Sequence, residues 1–300
     1  MDNKIFFDHD SLISDDGISN KTDNSGNETI KEEIEKKSKS LLYSTKVTCP
    51  VCENVFNATT VKSSAYRMIN KDSDFFIRYS LINPYFYDVW VCNSCGYAAM
   101  KSDFNTLRKT EIDLVYKLIT PKWRGRTYPE IYDVNTAIER YKLSLLNYII
   151  INAKASKKAI NCLKLAWMYR LLETENAKEI ELRYLTQALD GLNDAYYVEA
   201  FPLYGMNKYS IMYLIGELNR RTGHSDQSLI WFSTIITTPD VKDNLKKLAR
   251  DMKYLIKEEG TTNAKSSSLA ATTNNKFSAN KPDEENTTKK SGFLSKFFKH

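Results

Sequence analysis

The sequence predicts a mainly α protein, in which a small β ribbon is followed by a domain of α-helical hairpins, between disordered ends. Three observations carry this. Four of the five cysteines form two C-x-x-C pairs, Cys49-Pro50-Val51-Cys52 and Cys92-Asn93-Ser94-Cys95, with an aromatic-rich segment between them. Beyond residue 104, apolar residues recur at helical spacing almost without interruption. Glycine and proline number only ten and seven in 300 residues, which favours helices over a turn-rich β architecture.

Residues 1–44 are dominated by Asn, Ser, Asp, Lys and Glu, and bury too little apolar surface to offset ordering entropy, so they are predicted to be disordered. Residues 1–10 are acidic, with no basic start and no sustained apolar core, unlike a secretory signal. The longest apolar run, near Tyr148, is too short to span a bilayer. The expected compartment is the cytoplasm, where thiols stay reduced and paired C-x-x-C motifs bind metal more often than they form disulfides.

Residues 45–104 are predicted to be the ribbon. Two C-x-x-C hooks supply four thiolates, the tetrahedral set that a structural Zn²⁺ takes, so Cys49, Cys52, Cys92 and Cys95 are the candidate ligands. Phe56, Thr59, Thr60 and Val61 suit a strand, and the stretches 74–79 and 85–91 read as further β pieces broken by Asn83-Pro84. Each hook belongs on a β-turn with a small sheet between the two, and Gly96 supplies the positive φ that such a knuckle needs. A thioredoxin-like redox pair lacks its βαβ surroundings here. A catalytic zinc usually includes histidine and keeps one position open, whereas His9, His224 and His300 all lie far along the chain from the hooks.

Residues 105–259 are predicted to be helical, as segments 104–119, 136–152, 156–173, 177–200, 207–222, 225–237 and 240–258. Thr136 and Glu139 read as a capping box for the second of these. Short links make the helices antiparallel hairpins, as in an α-solenoid. Ile215-Gly216, Gly223, Phe232, Ile235 and Pro239 give a tetratricopeptide-like pattern, although Asn219, Ser228 and Ile235 depart from its consensus and no clean repeat period follows. Cys162, alone on an apolar face, reads as an inert core residue. The loop Lys122-Trp123-Arg124-Gly125-Arg126 interleaves basic and aromatic residues. It suits phosphate and base binding, or a tryptophan tucked into a junction with solvated arginines around it.

Residues 260–288 read as a flexible Ser/Thr/Asn linker. In the basic tail 289–300, a helix would gather Phe293, Leu294, Phe297 and Phe298 on one side, a face for an anionic membrane surface or a partner's groove.

Cys49-Pro50-Val51-Cys52, Asn83-Pro84, Tyr87, Cys92 to Ala98, Leu165 to Arg170 and Gly216 to Arg221 together resemble a bacterial family catalogued as domain of unknown function 2225, over about residues 46–258. The resemblance implies the two-part architecture and brings no activity with it.

The net charge is +6, with −4 in residues 1–40, +3 in 259–300 and about +7 between, well short of a dedicated nucleic-acid binder. No nucleotide loop, nucleophile elbow or metal–His–carboxylate motif is present, although a site assembled from scattered residues would leave no such trace. The function these features suggest is a non-enzymatic adaptor, with a structural zinc ribbon coupled to a helical scaffold that binds a protein or peptide. The alternative is nucleic-acid binding through Lys62, Arg67, Lys71, Arg78, Lys122, Arg124 and Arg126.

Overall fold

A computed structural model describes the backbone of residues 36–274 and the side chains of 36–259. Residues 1–35, the tail with Phe293, Leu294, Phe297 and Phe298, and two of the three histidines, His9 and His300, lie outside the described residues.

Among the described residues, the β-strands form three antiparallel pairs. Strand β1 (Leu42–Thr48) pairs with β2 (Val55–Val61), from Leu42 opposite Val61 to Thr48 opposite Val55. It begins inside the segment 1–44 predicted to be disordered, because Leu42 to Ser44 continue a ladder that β2 completes. Strand β3 (Met68–Lys71) pairs with β4 (Ile77–Tyr79), with a register irregularity between Met68 and Asn70. Strand β5 (Val89–Val91) pairs with β6 (Ala98–Met100). The single small sheet expected between the hooks is thus replaced by separate hairpins. The aromatic stretch at 85–91 is split, with Pro84–Tyr87 forming a 3-10 turn capped by Asn83, whose side chain accepts from Tyr85 N–H.

Seven α-helices follow among the described residues. Helix α1 (Lys109–Leu118) starts later than predicted, because Phe104 is spent on packing against Phe56, Trp90 and Tyr97. Helix α2 (Val134–Ile150) starts earlier than predicted. Its cap is Asp133, which accepts from Thr136 N–H at 2.7 Å, so no capping box forms at Thr136 and Glu139 is left for Arg126, 3.0 Å away. Helices α3 (Ala155–Arg170), α4 (Glu175–Val198), α5 (Lys208–Arg221) and α6 (Ser225–Thr237) lie within a few residues of their predicted bounds. Helix α7 (Asp243–Asn274) runs into the segment 260–288 expected as a linker. Ala264, Leu269, Ala270 and Ala271 favour helix there, and no proline intervenes before Asn274.

Close packing of the hairpins rests on small residues. A Cβ on Gly191 of α4 would meet Ala159 Cβ of α3 at 2.9 Å, and one on Gly216 of α5 would meet Phe232 Cε1 of α6 at 2.9 Å.

Among the described residues, those up to Lys253 form one compact unit, and those from Tyr254, the rest of α7, belong to a second. Within the first unit, one hydrophobic core includes Val47, Cys92 and Tyr97 of the hairpins together with Tyr148, Leu165 and Leu218 of the helices. No boundary near residue 104 divides it. Helix α2 does most of the joining. Tyr148 Oη accepts Met100 N–H at 3.0 Å and donates to Asp103 at 2.7 Å, Tyr141 Oη donates to the Tyr85 carbonyl, and Arg140 donates to the Val89 carbonyl.

Candidate metal centre

The two hooks occupy the turns of two hairpins, Cys49 and Cys52 between β1 and β2, and Cys92 and Cys95 between β5 and β6. The turns are built alike. Cys49 N–H donates to the Asn54 carbonyl and Glu53 N–H to the Cys49 carbonyl; Cys92 N–H donates to the Tyr97 carbonyl and Gly96 N–H to the Cys92 carbonyl, all between 2.8 and 3.0 Å. Each turn needs a left-handed residue after its second cysteine, and finds it in Glu53 (φ 60°) and Gly96 (φ 79°). The sequence signals only the glycine.

These turns bring Cys49 Sγ to 3.6 Å from Cys95 Sγ and Cys52 Sγ to 3.6 Å from Cys92 Sγ, and all four sulfurs lie within 4.8 Å of one another. Sulfurs bound at about 2.3 Å to a tetrahedral zinc are about 3.8 Å apart, so the arrangement fits a Cys₄ ion. It does not fit disulfides, whose sulfurs are bonded at about 2.05 Å, and all five cysteines are free. Cys49, Cys92 and Cys95 are buried and Cys52 is half-buried. Hydrogen bonds from Cys49 and Cys95 hold the Cys92 thiol far below its ordinary value, while hydrogen bonding with Cys49 and Cys92 pushes Cys95 well up. A divalent cation at the centre of the four sulfurs would favour the thiolate form of each. Among the described residues no histidine joins this cluster. Cys162 is apart from it and fully buried, and burial pushes its thiol up to about 12, as befits an inert core residue.

The second knuckle forms one wall of a groove of about 390 Å³. Trp123 lies over Gly96, where a Cβ would meet its ring at 2.7 Å, and Trp123 Nε1–H donates to the Asn93 carbonyl at 2.9 Å. Asn93 Oδ1 accepts Arg126 N–H at 2.6 Å, and Thr120 Oγ1 donates to the Cys95 carbonyl at 3.1 Å. Of the two readings of the basic–aromatic loop, the tryptophan packed at a junction is the one observed. The groove floor is Leu118 with Leu143, Leu146 and Ile150 of α2, and its rim carries Lys122, Arg124, Arg126 and Lys142 against the single carboxylate of Glu139. Asn147 also lines it and is 1 % exposed, and its Oδ1 has no partner.

Sequence reasoning missed this groove. Its trace is the end of α2, where Leu145-Leu146-Asn147-Tyr148-Ile149-Ile150 is apolar on nearly all sides, as expected of a helix covered on more than one face. Of the basic residues considered for nucleic acid, Arg78 pairs with Asp72, Arg126 with Glu139, Lys71 lies over the Phe75 ring, and Lys62 donates to the Ser40 carbonyl.

Fold and site together define a helical-hairpin protein with a four-cysteine, metal-competent centre on paired β-hairpin knuckles. A family model described as "uncharacterized protein conserved in bacteria (DUF2225)" matches residues 42–256, and the chain belongs to that family. No curated protein and no solved structure matches the chain. Among the described residues, no helix is long and apolar enough to cross a membrane.

Proposed function

We propose that this protein is a non-enzymatic zinc-binding adaptor. Cys49, Cys52, Cys92 and Cys95 hold one structural Zn²⁺, and the tetratricopeptide-like helical part binds a protein or peptide partner in the cytoplasm. The observation that carries this reading is the groove beside the second knuckle. Its leucine and isoleucine floor is the lining that a peptide's apolar side chains fill, and its wall is held by Cys95, Gly96 and Asn93, so the metal shapes the binding surface. A nucleic-acid surface is less well supported, because Trp123 is committed to Gly96 and Asn93 rather than open to stack a base. The tail bearing Phe293, Leu294, Phe297 and Phe298 adds, on this reading, a reversible contact with an anionic membrane surface, to be tested by co-sedimentation with anionic vesicles at low and high salt.

The test is affinity capture from the native cell with the parent chain, Leu146→Asp and Arg124→Glu. A partner retained by the parent and lost from both variants, each carrying its full zinc complement, is the expected result. Identical captures by all three would overturn the assignment of the groove as the binding surface.

A further inference from the structure

The groove's charge and lining specify its occupant. Four cations stand around the rim against one carboxylate, and Lys122 and Arg124 have no acidic partner among the described residues. The floor takes large apolar side chains. The matching ligand is an acidic segment with a short apolar run.

This chain carries such a segment. Residues 1–16 hold five aspartates and one lysine, for a charge of −4, around Ile5-Phe6-Phe7 and Leu12-Ile13. The first described residues reach the loop that follows the groove's rim in the chain. Lys39 Nζ is 3.0 Å from Glu130 of the loop that continues from the rim residues Arg124 and Arg126. The roughly 30 residues between Phe7 and Lys36 reach on the order of 90 Å when extended, far more than is required. We propose that the acidic segment around Ile5-Phe6-Phe7 docks in this groove of its own chain. Ile5, Phe6 and Phe7 cover the leucine floor, and Asp2, Asp8 and Asp10 face the cationic rim. On the reading of the groove as the adaptor's binding surface, which this inference deepens, the segment acts as a built-in competitor that a partner must displace.

The experiment uses the full chain. A carbodiimide joins carboxylates to amines in contact, and it is expected to link Asp8 or Asp10 to Lys122 or Lys142. In a mixture of light and isotope-heavy protein these links stay within one isotope. They disappear when Ile5, Phe6 and Phe7 are all replaced by serine. That full-length triple variant should in turn bind a labelled peptide of residues 1–16, more weakly at high salt and at least about tenfold more weakly when Arg124→Glu or Leu146→Asp is added. Three results would overturn the inference: mixed-isotope links only, which assign the groove to a second copy; no links and no peptide binding; or peptide binding indifferent to both groove variants. Partner capture that depends on the groove, without any such links, would sink this inference alone and leave the adaptor reading standing.

Discussion

Glu53 and Gly96 hold equivalent places in the two knuckles, and they should respond oppositely to substitution. Glu53 sits at φ 60° with a side chain that the left-handed region disfavours, so Glu53→Gly should be neutral or stabilise by up to about 1 kcal/mol. At Gly96 a methyl group meets both that strain and the Trp123 ring at 2.7 Å, and Gly96→Ala should destabilise by about 1–3 kcal/mol. Thermal melts of the two variants check this, and equal shifts in the two would contradict it. The cysteines are expected to act as one set. The purified chain should carry one zinc by native mass spectrometry, and Cys49, Cys52, Cys92 or Cys95→Ser should each lower its occupancy and its melting temperature. Chelation should do the same reversibly, since the ion's binding energy is folding energy here. A fully folded, zinc-free parent that melts like the chelated protein would refute the structural metal.

At the scale of elements, α5 and α6 show how little room the hairpins leave. Phe232 stands 2.9 Å from where a Cβ of Gly216 would lie, and Ser228 donates to the Gly216 carbonyl at 2.7 Å. Gly216→Leu should therefore force the helices apart, at about 1–3 kcal/mol, readable in chemical denaturation. A variant as stable as the parent would mean the seam repacks freely. Helix α2 has the opposite problem, serving two surfaces at once. Leu145 and Tyr148 are buried in the core, while Leu143, Leu146 and Ile150, at helical spacing, line the groove. Leu146→Asp should accordingly weaken ligand binding more than it weakens the fold.

At the scale of the whole molecule, the turn Asp72-Ser73-Asp74 is clamped into the helices. Arg170 of α3 reaches Asp74 at 2.6 Å, Asp72 at 2.9 Å and Glu181 of α4 at 2.7 Å. Trp167 donates to Asp74, and Ser73 donates to Glu217 of α5. Asp74 is fully buried, so Arg170→Met strands its charge and should destabilise by about 3–5 kcal/mol. Burial pushes the Asp74 carboxyl up, but the Arg170 hydrogen bonds and charge, aided by Arg221 and Trp167, outweigh it and hold the group below the usual carboxylate range. Asp72 is held low in the same way by Arg78 and Arg170 against its own desolvation. Both groups therefore add stability that is full above the unfolded carboxylate value of about 3.9 and is lost as pH falls through the folded values. The melting temperature should fall in acid below about pH 4, with a shallower acid limb in Asp74→Asn. An identical acid limb in that variant would exclude Asp74 as a source.

The sequence by itself determined the four cysteines that cluster, the helical hairpins with their approximate bounds, the close glycine in α5 and the family. Each of these is written in local spacing: C-x-x-C fixes a turn, an apolar period fixes a helix face, and a glycine between large residues marks a contact. Only the tertiary structure decided that hairpins and helices share one core. That outcome depends on Tyr148, Arg140 and Asp74, polar residues with hydrogen-bond partners 45, 51 and 96 positions away, which leave no periodic trace. The groove belongs to the same class. Leu118, Trp123 and Leu146 come from three separate segments, and they face one another because Gly96, in the turn that the cysteines form, is small enough to let Trp123 close over it.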